Sequence, residues 1–313
     1  MYYPYFRGKQ YELITIRECA HILKSANFIP IIEPVKETLS GLQKTLASVK
    51  EVEGEVIVVV NPFHGFHSSN GNSILQLLDS EFSDYPKISA GILLTEQLSI
   101  DDVKAIYSSV GDRNVSFIHT GFSEAKALSN DFGDAIENIR QVFHDEYCGK
   151  LYQKHFRKAE KVLLRDGFER RTNREHPEVE FFSDLHATYD LEGMDGFGDF
   201  LMVGDDYSET GGPAYAVAIH LTFIDPDKDD EMHIHHFVSI RQDDPKDPAG
   251  KFAEALEKLI AELNSDNNKI LETEAVQEFV DLHYRGHFPG LGYVKKLSMK
   301  HHIETLAHFF HGA

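Results

Sequence analysis

Short apolar runs recur through the first half of the chain, and each stops at a polar residue able to do chemistry. Residues 28–32 precede Glu33, 56–60 precede Asn61, 88–94 precede Thr95 and Glu96, 115–118 precede His119, and 162–164 precede Arg165 and Asp166. Rich in Ile, Val and Leu and without a clean polar alternation, they read as strands buried on both faces, the pattern of a parallel sheet. The first four begin about 27 to 32 residues apart, the span of one strand–helix unit. In parallel sheets with helical crossovers, ligands sit at the carboxyl ends of the strands, where these polar residues fall. The pattern locates a site without naming a reaction.

Helical spacing of apolar residues predicts helices over 11–25, 38–49, 73–82, 99–109 and 132–142. Residues 165–180 (RDGFERRTNREHPEVE) are dense in charge and predict an exposed loop insertion, a candidate lid or partner-facing segment. Further apolar runs follow at 197–203, 214–224 and 232–240, then helices over 251–263 and 272–284. The acidic link 225–230 is too short for a crossover helix, so the runs on either side of it should pair antiparallel. Eight runs with helices between most of them predict an α/β fold, a TIM-barrel-like (β/α) barrel with an irregular last third and an antiparallel strand pair. The expectation is a single barrel-like domain over 1–313. An open doubly wound sheet with a small antiparallel appendage is the alternative.

Composition narrows the function classes. With 31 basic and 51 acidic residues, the net charge of −20 disfavours nucleic acid as a partner, because the surface repels a phosphate backbone. No segment approaches the roughly 18 to 20 unbroken apolar residues of a membrane span. The N-terminus has no apolar leader, and Cys19 and Cys148 are too few for a disulfide framework, so the expected compartment is the cytoplasm.

Several residues are candidates for a site. Glu33 and Lys36 can form an acid/base pair or a structural ion pair. Glu96, His119 and Arg165 continue the strand-end ring, and carboxylate, imidazole and guanidinium together suit phosphoester hydrolysis, with or without a divalent metal. Arg7 and Lys9 flank Gly8 and can hold an anion, or simply form a turn before the first helix. Asn61 can donate to an oxyanion or make an Asn-Pro turn. Asp199, with Asp205 and Asp206, flanks the sixth run, and these carboxylates can coordinate a hard cation or simply cap a loop. His233, His235, His236 and His220 invite a metal reading. No His-Glu-x-x-His or Cys-x-x-Cys motif accompanies them, so half-buried strand histidines are expected and no metal ligand is assigned.

The N-terminal stretch Tyr3-Pro4-Tyr5-Phe6-Arg7-Gly8-Lys9-Gln10-x-Glu12, followed by Pro30-Ile31-Ile32-Glu33-Pro34, resembles the phage-type "Beta protein" domain family of bacteria and their phages. Gly198-Asp199-Phe200 is similar to that family's Gly-Asp-aromatic step, and His301-His302-Ile303 to its His-His-aliphatic signature, which adds His302 to the candidate binding residues. The chain departs from the family in having no tryptophan. The resemblance implies a barrel-like fold and a setting in phages, mobile elements or bacterial defence neighbourhoods, where a protein partner encoded nearby is an expectation of the second function below. It carries no activity. Two functions from different classes are therefore expected: a hydrolase for a phosphorylated or otherwise anionic small molecule, or a binding or sensor subunit that partners a defence effector.

Overall fold

The computed structural model describes residues 1–209, 212 and 214–312. Its strands are β1 (Tyr5–Phe6), β2 (Ile31–Ile32), β3 (Val56–Val59), β4 (Ile88–Thr95), β5 (Val115–Thr120), β6 (Arg140–His144), β7 (Lys161–Leu164), β8 (Val179–Ser183), β9 (Gly196–Gly198), β10 (Ala218–Asp225) and β11 (Glu231–Val238). The helices are α1 (Gln10–Glu18), α2 (Ala20–Ser25), α3 (Ser40–Glu51), α4 (Asn72–Glu81), α5 (Ile100–Ser109), α6 (Ala125–Phe132), α7 (Lys150–Gln153), α8 (Leu185–Thr188), α9 (Pro248–Leu263), α10 (Glu274–Arg285) and α11 (Leu291–His311).

Eight strands form one parallel sheet in the order β1-β2-β3-β4-β5-β6-β7-β9. Its two ends meet: Tyr3 N donates to Phe197 O at 2.8 Å, Phe197 N to Met1 O at 2.9 Å and Tyr5 N to Asp199 O at 2.9 Å. The sheet is therefore a closed TIM-barrel-like (β/α) barrel. Alternate residues pack together inside it, among them Tyr3, Tyr5, Ile31, Ile57, Val59 and Ile118. The outward alternates, such as Ile32, Val58, Ile92 and Phe117, are equally buried. Burial on both faces is why the strands lack polar alternation.

Contacts divide the chain into two compact units: Met1–Arg165 with Thr188–Phe200, and Asp166–Ala187 with the residues from Leu201 onward. The barrel lies wholly in the first. The second holds a three-stranded antiparallel sheet, β10-β11-β8, with α9, α10 and α11. Ile219, Leu221 and Phe223 from one face of β10 pack with Phe252, Leu259 and Phe279. The acidic link between β10 and β11 turns on Asp229 and Asp230, both with positive φ, and on the Asp225 side chain, which accepts from Asp227 N at 3.1 Å.

The runs at 214–224 and 232–240 do pair antiparallel, but outside the barrel. Their places in it are taken by β1 and β6, which the sequence pattern misses. β1 is only two residues long, too short for a periodicity to show. The segment expected as a helix over 132–142 instead ends α6, makes a tight turn over Gly133–Asn138 and enters β6. The first expected helix breaks at Cys19 into α1 and α2. Residues 165–180 are not only a loop, since their end forms β8. Among the described residues no helix is long and apolar enough to cross a membrane.

Closure depends on glycine where β9 meets β1. A Cβ at Gly198 would run into the Tyr3 carbonyl oxygen, whereas one at Gly149 would meet nothing within 4 Å. Gly198→Ala should lower stability by about 3 kcal/mol or more, and Gly149→Ala by less than about 0.5 kcal/mol. Chemical denaturation measures both. Equal midpoints for the two variants would contradict the closure described here.

Candidate functional site

The barrel mouth is organised around Glu33, the first residue after β2 and fully buried. A carboxylate there must be paired or solvated by protein donors, because leaving it bare costs several kcal/mol. Its Oε2 accepts from Tyr5 Oη at 2.9 Å and from Arg7 Nη1 in a short ion pair. Its Oε1 accepts from the backbone N–H groups of Phe63 at 2.9 Å and His64 at 3.0 Å. An ionised carboxylate offers about four acceptor positions, so these four donors saturate it. Glu33 is thus held in place by four donors and has no acceptor position left for a ligand.

Chain geometry explains how four donors converge. Tyr5 and Arg7 are alternate residues at the end of β1, on the inner face. Gly8 turns away from the strand with φ +62°, and a Cβ there would stand 2.9 Å from Glu33 O, so the Arg7-Gly8-Lys9 turn requires glycine for close approach of two backbones. The loop after β3 folds over the loop after β2, with Phe66 N donating to Val35 O at 3.0 Å, which carries the amides of Phe63 and His64 inward. The Arg7 guanidinium packs against two rings, 4.9 Å from the centre of Tyr5 and 5.4 Å from that of Phe200.

Two histidines stand beside this pair. His64 Nδ1 is 3.6 Å from Glu33 Oε1, and its side chain keeps 24% exposure. His144 ends β6, is buried, and packs its ring 5.4 Å from Phe200, the same ring that supports Arg7. Tyr147 lies 4.9 Å from His144, and Phe63, Phe66 and Tyr147 leave exposed aromatic surface on the surrounding loops. Pattern reading misses Tyr5 and His144 because it misses β1 and β6.

Of the expected ring, only part converges. Glu33 pairs with Arg7, not with Lys36, which is exposed. Glu96 is also exposed. Asn61 stitches β3 to β4: its Nδ2 donates to Leu93 O at 2.9 Å and its Oδ1 accepts from Leu93 N at 2.8 Å. That is sheet extension by a side chain, neither oxyanion donor nor simple turn. Arg165, at the end of β7, donates to Asp145 Oδ2 at 2.6 Å and Glu192 Oε1 at 2.8 Å. Lys9 sits at the N-terminus of α1. Asp199 faces outward and accepts from the buried Tyr2 hydroxyl at 2.7 Å.

His119 is the clearest departure. It alternates with the inward Ile118 and so points out of the barrel, fully buried against Phe143 and Phe156 at 4.8 and 4.9 Å. The Gln141 amide donates to Ile139 O at 2.7 Å, which turns its oxygen toward His119 Nε2 at 2.9 Å. His119 therefore carries its proton on Nε2, and its Nδ1 accepts from Tyr152 Oη at 2.7 Å. Burial lowers its pKa to about 4. Both ring nitrogens are committed to structure. Cys148, beneath the same layer, is pushed up to about 12 by burial and is no nucleophile.

His302 belongs to the second unit. It is buried in α11, with Nδ1 2.9 Å from Thr222 Oγ1 and its ring on Phe182 at 5.4 Å. His301 beside it bridges Thr273 Oγ1 at 2.8 Å and Thr222 O at 2.7 Å, and burial lowers its pKa to about 4. Asp205 and Asp206 lie in the same unit. Asp205 N donates to Asp166 Oδ2 at 2.6 Å, and Asp206 pairs with Arg170 at 3.0 Å. Among the described residues, three metal-ligand side chains come together in one place, His176, His220 and His236.

No family model matches the chain, and no curated protein matches it. Among solved structures, an O-GlcNAc hydrolase mutant from Thermobaculum terrenum superposes with a TM-score of 0.36 at 11% identity. The match covers 65% of this chain and 54% of that one, so this chain spans about half of its length.

The buried histidines set a pH dependence. His119 and His301 are neutral in the fold with values near 4, against 6.5 when unperturbed. Between those values the unfolded chain binds more protons, so stability is full above pH 6.5 and falls as pH drops toward 4. Each residue contributes at most about 3 kcal/mol to that fall. Urea midpoints measured from pH 7.5 to 4.5 should decline, less steeply in His119→Gln. A level wild-type profile would contradict the assignment.

Proposed function

We propose that the barrel mouth binds a small anionic molecule, a phosphate ester in the first instance, and hydrolyses it. His64 transfers the proton, and the buried Glu33 acts behind it as a positioning residue. The observation that carries this reading is the pairing of a saturated, inaccessible carboxylate with a partly exposed imidazole 3.6 Å away at the carboxyl end of a barrel strand. The ring is placed to take a proton from water as the ester is attacked, with Glu33 3.6 Å from its Nδ1 to orient it. Arg7 and Arg165 place guanidinium groups at the mouth, each held by carboxylates that an anionic ligand would have to compete with. The exposed aromatic side chains on the rim offer surface for the rest of the ligand. A cytoplasmic setting in phage, mobile-element or defence neighbourhoods, with a partner encoded nearby, belongs to the same proposal. It is supported by the N-terminal motif and by two buried cysteines not joined in a disulfide.

One observation favours a second reading, a binding or sensor subunit without catalysis. The charged groups at the mouth are largely satisfied by each other, Arg7 by Glu33 and Arg165 by Asp145 and Glu192. Turnover of p-nitrophenyl phosphate and bis(p-nitrophenyl) phosphate separates the two. As a hydrolase, the wild type cleaves at least one ester, and His64→Ala loses about 10²- to 10⁴-fold in kcat while keeping its melting temperature. Equal rates in wild type and His64→Ala rule out the catalytic assignment. No turnover, with inorganic phosphate stabilising wild type but not Arg165→Gln, selects the binding subunit.

A further inference from the structure

The second unit gathers imidazoles with no role in the barrel mouth. β10 and β11 place His220 directly opposite His236, and their Nδ1 atoms stand 2.7 Å apart. The segment leading into β8 lays His176 on His236 with ring centres 4.3 Å apart, and 5.1 Å from His220. One ligand nitrogen from each of the three lies within 4.8 Å of the others. The side chains of His176 and His236 are essentially inaccessible, and His220 is half-buried. Phe168 contacts the rings of all three, at 5.3 Å from His220, 5.4 Å from His176 and 6.3 Å from His236.

The protons in this cluster follow from its acceptors. His236 Nε2 is 3.0 Å from Glu180 Oε1, and a carboxylate held by Arg171 at 2.6 and 2.8 Å only accepts. His236 therefore carries its proton on Nε2 and aims the bare lone pair of Nδ1 into the cluster. That is the arrangement in which a carboxylate fixes the tautomer of a metal-bound histidine. His176 Nδ1 is buried and makes no hydrogen bond of normal length among the described residues, only a long contact of 3.6 Å with Glu180 Oε1. A buried polar atom left with only a long contact needs explaining, and a bound ion would explain it.

We propose that His176, His220 and His236 bind one divalent transition-metal ion of the zinc class, with Glu180 as the carboxylate that orients His236. Three imidazoles suit zinc, cobalt, nickel or copper and not magnesium or calcium, which require oxygen ligands. A tetrahedral ion with bonds of about 2.0–2.1 Å holds its nitrogens about 3.3 Å apart, so the His220–His236 pair opens by about 0.6 Å and the proton between them passes through solvent to His220 Nε2, which keeps that imidazole neutral. The fourth position stays for water on the side where His220 is half-buried. His233 and His235 point to the opposite face of β11, where they stack on Phe223 and Phe237, and take no part.

The test is metal binding by the whole chain, stripped with chelator and dialysed, then titrated with Zn²⁺ by calorimetry and with Co²⁺ by visible absorption. Expected are one equivalent of each and the intense bands of a tetrahedral Co²⁺ centre. Both signals disappear in His220→Ala and His236→Ala, weaken about 10- to 100-fold in Glu180→Gln, and persist in His233→Ala. If a ligand variant does not fold, the wild-type Co²⁺ spectrum and the Glu180→Gln affinity decide alone. A wild type with no tetrahedral bands, or bands that survive loss of His220 and His236, overturns the site. Neither outcome depends on what the barrel mouth does.

Discussion

A fully buried carboxylate has to be solvated by the protein, and Glu33 imposes that demand on the barrel mouth. It fixes the end of β1, because Tyr5 and Arg7 must both point inward to reach it. The glycine between Arg7 and Lys9 is needed because the chain then passes against the backbone of Glu33 itself. The loop after β3 must fold down to deliver two amides. His64 owes its position at the rim to the same loop. A site described by one charged centre is therefore also the joint that holds the first three strands in register.

The parallel barrel was legible because its central strands are long enough to show burial on both faces. β3 falls within an apolar run visible in the sequence, and β4, β5 and β7 overrun theirs by one or two residues. β1 and β6 were not legible: one is two residues long, and the other carries Arg140, Gln141 and His144 among its five residues. Gln141 and His144 are buried polar groups that pack and hydrogen-bond in ways hydropathy cannot convey. The antiparallel pair was legible from its short acidic link, but the sheet it joined was not. The short link specifies β10–β11 pairing and says nothing of which other strand completes the sheet.

The same limit applies to site residues. A strand-end position indicates which end of the barrel a residue occupies, and alternation decides whether it points in or out. Glu33 and Asn61 share the inner face, whereas His119 and Asp199 fall on the outer one, a one-residue difference in register. The histidines divide on a related ground. His119 and His301 have both ring nitrogens matched by hydroxyl, amide or carbonyl partners, and are core polar groups. His220 and His236 face each other across a strand pair, and His176 arrives from a charged segment that the sequence presents as a loop. Their convergence depends on strand register and was invisible before it was known.

Arg7 and Glu33 act as one buried unit at the mouth, and a double-mutant cycle measures that directly. Unfolding free energies of wild type, Arg7→Met, Glu33→Gln and the double variant give the coupling between the two side chains. Each single change should destabilise by about 3–5 kcal/mol, because it strands a buried partner, and the double variant should recover enough to leave a coupling of about 2 kcal/mol or more. Additive losses, with a coupling near zero, would contradict the claim that this pair organises the mouth.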